Sequence, residues 1–205
     1  MKIRNNGMFG FFLCFCLAIC SCQHNNNLSS ATKIYEAELS ERKKAEAESN
    51  RLYEKTMTAY SESRSEDAVT HLTEAVNIDS QNSKAWMALG VLKYERGRIF
   101  EAARAFHRAS RLEPTRYEPH FNLGSIFESV GYHEQAIEEY KIALKLAPSK
   151  IEVMENLARC YFRSGKNTPN VQNLVRQALQ KELRPEWRRW LEMQNCEKSF
   201  NKNGE

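Results

Sequence analysis

The chain has 205 residues, 41% of them hydrophobic and 27% charged, with a formal net charge of +4. That length suits one domain with a tail at each end, and the charge content excludes a multi-pass membrane protein. Eight Gly and five Pro point away from an all-β, turn-rich design, and without Lys2 and Arg4 the chain is nearly neutral, with no basic stripe to track nucleic acid.

Residues 1–8 carry Lys2 and Arg4 and no acid. The run "FGFFLCFCLAI" from Phe9 to Ile19 is apolar but too short to span a bilayer of roughly 30 Å as a helix. A charged start, a short apolar core and small residues before a polar stretch read as a secretory signal over 1–21. Cys14, Cys16, Cys20 and Cys22 sit inside or just past this run. Their spacing offers no turn chemistry for a metal cage or a disulfide knot. "LAIC" and "ICSC" both resemble the bacterial lipoprotein signal. That resemblance implies a diacylglycerol on Cys22, which follows the small Ser21, with Cys20 as the alternative. The other cysteines are then small hydrophobes of the removed peptide. A plain cleaved or uncleaved signal anchor is the other reading. On the lipoprotein reading the chain is held in the bacterial cell envelope by lipid, facing the periplasm. Gln23 in place of an Asp after the lipidated residue favours the outer membrane over the inner.

Residues 22–32 are polar and without periodicity, and read as a flexible tether. Residues 33–48 are charged and helix-favouring, a helical lead-in without a sustained heptad.

Two stretches follow at a spacing of 34 residues, 83–116 and 117–150. Leu89 and Gly90 align with Leu123 and Gly124. Gly97 aligns with Gly131, Ala102 with Ala136, Phe106 with Tyr140, Ala109 with Ala143 and Pro114 with Pro148. The same register reaches 49–82 through Leu52, Ala59, Tyr60, Ala68, Leu72 and Ala75. It reaches 151–184 through Leu157, Ala158, Tyr161 and Gly165, where "NTPN" inserts a residue before Val171, Val175 and Ala178. Small residues at fixed positions let helices approach closely, larger ones fill the space between, and Pro114 and Pro148 turn the chain before the next unit.

This pattern resembles the tetratricopeptide repeat in period and at nearly every signature position. Lys93 departs from it, standing where an aromatic is usual, with Tyr94 one step later. The resemblance implies an all-α solenoid of three to four helix-turn-helix repeats over 49–184, of which 49–82 and 151–184 are degenerate. Residues 185–205 read as a capping helix and polar tail, with Trp187, Trp190 and Leu191 on one face.

The resemblance also implies a concave groove lined by the first helix of each unit. Mapped here, its wall comprises Tyr53, Met57 and Tyr60, then Lys84, Met87, Val91 and Tyr94, then Glu118, Phe121, Ser125 and Glu128, then Glu152, Glu155, Arg159 and Phe162. The first two units offer an apolar, aromatic wall and the last two a more charged one. Such a mixture suits an amphipathic helix or an extended peptide. Relatives that clamp a terminal carboxylate need Lys and Asn where this chain has Met87 and Val91.

No catalytic motif appears, and His24, His71, His107, His120 and His133 are scattered. The chain reads as a non-enzyme without cofactor, metal, nucleic acid or small-molecule substrate. Cys160 and Cys196 can pair in an oxidising compartment. The expected function is a membrane-anchored scaffold or assembly factor binding a protein partner, a peptide or helix of an envelope complex. In architecture it resembles the pilotin lipoproteins that help assemble type IV pilus secretins. The alternatives are a repeat subunit serving a separate enzyme such as a glycosyltransferase, and a structural stabiliser whose groove is filled from within.

Overall fold

A computed structural model describes residues 9–61, 65–166, 168–181, 185–190 and 192–193, with side chains described from residue 30 onward. Those residues hold α1 Phe9–Ser61, α2 Ser65–Ile78, α3 Ser83–Glu95, α4 Ile99–Leu112, α5 Glu118–Ser129, α6 His133–Leu146, α7 Ile151–Arg163 and α8 Pro169–Lys181. A short further helical stretch covers 185–190, and no strand occurs among the described residues. The chain divides into two units, Met1–Glu48 and Ser49–Glu205.

In the first unit α1 runs through residues 22–32 without a break. This corrects the expectation of a flexible tether there. The segment lacks both Pro and Gly, the two residues that interrupt a helix most strongly, and polarity alone does not end one. No helix among the described residues is long and apolar enough to cross a membrane.

The second unit is four helix pairs in succession: the C-terminal turns of α1 with α2, then α3 with α4, α5 with α6, and α7 with α8. The joint within each central pair is set by one glycine. A Cβ on Gly90 would lie 2.5 Å from Phe106 Cε1, and one on Gly124 would lie 2.6 Å from Tyr140 Cε1. Both distances are below contact, so only glycine admits the buried ring. Ala102, Ala109, Ala136 and Ala143 are fully buried on the facing second helices.

The turns inside the last three pairs place Gly97, Gly131 and Gly165 at φ of 71°, 82° and 70°, the left-handed region that closes a helix cheaply only for glycine. Pro114 and Pro148 each stand two residues beyond a helix end, after Leu112 and Leu146.

Asn82 fastens the first two pairs. Its Oδ1 accepts from the Ala85 N–H at 3.0 Å, capping α3. Its Nδ2 donates to Ser49 Oγ at 2.9 Å, and the Ser49 hydroxyl donates on to the Ala75 carbonyl at 2.9 Å.

Candidate functional site

The expected groove wall divides into an open part and a closed part. Met57 and Tyr60 on α1 are 44% and 50% exposed, and Val91 and Tyr94 on α3 are 39% and 37% exposed. Four large apolar or aromatic side chains thus stay in water on the first helices of two successive units. Tyr60 Oη donates to Glu95 Oε1 at 3.3 Å, which ties α1 to α3 across this surface. Tyr53 and Met87 are half-buried, Tyr53 against the Leu52–Leu72 core and Met87 against the Phe106–Leu123 core. Lys93 is buried and paired through Nζ with Glu101 Oε2 at 2.7 Å. That neighbour satisfies a lysine placed where the repeat usually has an aromatic.

The closed part is a polar network joining α5, α6 and α7. Glu128 is 8% exposed. Its carboxylate accepts from Arg159 Nε, from Arg159 Nη2 at 2.8 Å, from Arg163 Nη1 at 3.0 Å and from the Tyr140 hydroxyl at 3.1 Å. Ser125 Oγ meets Tyr140 Oη at 3.1 Å. Asn156 donates to the same phenol at 3.3 Å, and its Oδ1 accepts from Arg159 at 2.8 Å. Burial works to raise the Glu128 carboxyl, but the hydrogen bond and charge of Arg159, helped by Tyr140 and Arg163, outweigh it and hold it below its ordinary value. Burial pushes the Tyr140 phenol upward, and the hydrogen bonds that Arg159 donates to Glu128 raise the pKa of its guanidinium.

The structure brings Ser125, Glu128 and Arg159 into one network, with Arg159 paired to Glu128 and Ser125 joined to it through the Tyr140 hydroxyl. Phe121 is half-buried with its ring 5.8 Å from that of Tyr140. The Arg159 guanidinium lies 5.0 Å over the Trp187 ring, and Phe162 packs edge-on against Trp190 at 5.8 Å. The indoles of 185–190 thus cover the fourth unit's share of the wall. Glu155 is 1% exposed, so its side chain is buried and not open to a groove as its position implied. The repeat register counts residues along a helix, whereas exposure depends on what packs over each turn.

Asn156 and Arg163 are the members of the network that sequence reasoning missed. Both lie within a turn of Arg159, and Arg163 is three residues past Cys160 in a helix otherwise read for its apolar face. Cys160 is a free, buried thiol, pushed up to about 12 chiefly by burial. Its expected partner Cys196 and the expected face residue Leu191 lie outside the described residues, as do the side chains of Cys20 and Cys22. Among the described residues no group of three or more His, Cys, Asp or Glu is placed to hold a metal ion.

Comparison with known proteins places this geometry. The tetratricopeptide repeat family model matches residues 87–151. Mouse superkiller complex protein 3 is 27% identical over 99 residues, 48% of this chain and 6% of that protein. Soybean Hsp70-Hsp90 organizing protein 1 is 22% identical over 142 residues, 66% of this chain and 25% of that protein. The matched part is thus a quarter or less of these relatives' length. Among solved structures, MamA superposes with a TM-score of 0.61 at 23% identity, covering 65% of this chain and 77% of that one. The first repeat domain of Spaghetti (RPAP3), bound to the HSP90 peptide SRMEEVD, gives 0.56 at 16% identity, covering 58% and 94%. Residues 87–151 carry tetratricopeptide repeats, and the helix pairs of the second unit form an all-α solenoid of that type.

Proposed function

We propose that the chain is a protein-interaction scaffold of the bacterial envelope, anchored by lipid, that holds a peptide or amphipathic helix along the first helices of its first two pairs. The observation that carries this is the open surface of Met57, Tyr60, Val91 and Tyr94. Large apolar side chains gathered on one surface and left in water mark interaction sites, and their Met and Tyr content suits an apolar helix face. The peptide held by the Spaghetti domain supports the use of such a fold for a peptide ligand. The carboxylate clamp does not carry over, because Met87 and Val91 offer no cation and Arg159 is already taken by Glu128. The occupant is therefore chosen by its apolar side chains.

The test is crosslinking in intact cells with Tyr60→Ala/Tyr94→Ala beside Arg159→Ala. The tyrosine pair should abolish the main crosslinked partner, and Arg159→Ala should leave it. Undiminished capture by the tyrosine variant would remove this surface from the account.

The anchor rests on Lys2, Arg4, the apolar run 9–19 and the small residue before Cys22. Several acyl chains on Cys22 give a firm hold, since each buried CH₂ contributes about 0.8 kcal/mol. Cys22→Ser should move the protein from the membrane to the soluble fraction. Retention in the membrane with Cys22→Ser and release with Cys20→Ser would shift the anchor to Cys20. Retention with both would exclude a lipid anchor.

A further inference from the structure

A second concavity lies among α3, α4 and α5, and none of the residues expected to line the groove contributes to it. It is an open cavity of about 480 Å³. Its apolar lining comes from Trp86 of α3, Ala103 of α4, and Leu123 and Phe127 of α5. Its polar lining is wholly basic in type, with Arg104, His107, Arg108 and Arg111 all from α4. Arg104, Arg108 and Arg111 stand at i, i+4 and i+7, so one helix face presents three guanidinium groups. No carboxylate lines the cavity. Arg108 spends one donor on the Ser80 carbonyl at 3.2 Å, and among the described residues none of the three arginines is in an ion pair. The nearest acid on α4, Glu101, is already held by Lys93 Nζ at 2.7 Å.

We infer that this cavity is a docking site for an acidic peptide segment of a partner protein that inserts one aromatic or aliphatic side chain. The charge complementarity is one-sided: three fixed cations line the cavity and no anion does, and Glu101, whose carboxyl feels the charge of Arg104, is bonded to Lys93 outside it. Guanidinium groups bind carboxylates in pairs of parallel hydrogen bonds, which fixes where an Asp or Glu must lie. The apolar floor decides against a bare anion, because a phosphate or a headgroup would leave Trp86, Leu123 and Phe127 unused. Nucleic acid is disfavoured too, because three guanidinium groups on a nearly neutral chain supply little of the phosphate neutralisation that such binding rests on. A side chain of Phe or Leu size fills the floor while flanking acids reach the rim. The site is independent of the groove on α1 and α3, so the two can be occupied together, by one partner or by two.

The experiment is fluorescence anisotropy on the full chain in a non-ionic detergent. Three labelled peptides serve as probes: Asp-Glu-Phe-Glu-Asp, the same with Ser for Phe, and Lys-Lys-Phe-Lys-Lys. The first should bind with an affinity that falls as salt is raised, and the second about tenfold more weakly. The third should not bind. Arg104→Glu/Arg111→Glu should weaken the first peptide by about tenfold or more with an unchanged melting curve, since both side chains are exposed. Arg104→Lys/Arg111→Lys should weaken the first peptide less than charge reversal does, since the charge stays and only the paired hydrogen bonds are lost, and Tyr60→Ala/Tyr94→Ala should leave it unchanged. The site is overturned if the acidic peptide does not bind, if the lysine or serine peptide binds as well, or if charge reversal changes nothing. It is overturned equally if inorganic phosphate or anionic vesicles displace the peptide at matched ionic strength, which would make it an anion or lipid site. Should the double reversal unfold the chain, Arg111→Ala alone is the deciding variant, with loss of affinity supporting the site and no loss ending it.

Discussion

The central and flanking helix pairs solve one packing problem with different parts. In the centre a glycine faces an aromatic ring: Gly90 takes Phe106, and Gly124 takes Tyr140. In the first pair the glycine's register position is held by Thr56, buried to 1%, and the ring's position by Leu72. In the last pair Ala158 and Val175 share one core cluster. A larger residue on the first helix goes with a smaller one on the second, so size is traded across the joint rather than fixed at one position. Thr56 also disposes of its hydroxyl by donating to the Leu52 carbonyl at 3.0 Å, so burial leaves no polar atom unpaired. The flanking repeats look degenerate by signature and keep a closely packed joint.

The largest break in this comparison comes from giving a central pair one half of a flanking joint. Gly90→Thr places a branched side chain into the Phe106 ring and should cost about 3 kcal/mol by urea unfolding. Adding Phe106→Leu should recover about 1 kcal/mol of that loss, a coupling that independent sites would not show. Failure of the second change to recover anything would mean that volume does not set the joint.

A smaller effect separates the two halves of the groove wall. Glu128→Ala should cost about 2 kcal/mol, less than a fully buried pair because Arg159 keeps a quarter of its surface in water. Folding lowers the Glu128 pKa, so its contribution is present above the ordinary carboxylate range and is lost as pH falls through that range toward the folded value. Stability measured against pH should therefore drop less steeply on the acid side in Glu128→Gln than in the parent. Equal slopes would show that the Arg159 pair adds nothing.

The smallest effect is at the turns. Gly97→Ala meets no atom within 4 Å, yet forces alanine to a φ of 71°, and should cost about 1 kcal/mol. Gly90→Ala sharpens the contrast. It adds the same methyl at ordinary helical φ, improves helix propensity, and should still destabilise because the ring of Phe106 is already in place. Thermal melts of the two variants distinguish backbone strain from collision.

The helix pairs were legible in the sequence because their requirements are local and periodic: a small residue opposite a large one, a glycine at the turn, a proline past the end. The site was legible only in part. Register marked Met57, Tyr60, Val91 and Tyr94 as wall residues, and these are exposed. It marked Ser125, Glu128 and Arg159 equally well but could not show that Arg159 reaches Glu128 across 31 residues of chain. Nor could it show that Trp187 and Trp190 lie against Arg159 and Phe162. Such pairings depend on which turn of one helix meets which turn of another, and period carries no information about that. The continuous helix through residues 22–32 was missed for a simpler reason, since a polar stretch without Pro or Gly is neutral toward helix rather than opposed to it.

The Glu128 network has a consequence for direction. On the proposed function an occupant lying along the first helices would meet the exposed side chains of α1 and α3 and then reach α5, where Glu128 and Arg159 are already paired. Going farther would mean prising apart that bond network and lifting two indoles, with nothing of comparable strength offered in return. On the proposed function the groove would have an entrance and a backstop, and how far a bound polypeptide could advance would be decided by residues that never need to touch it.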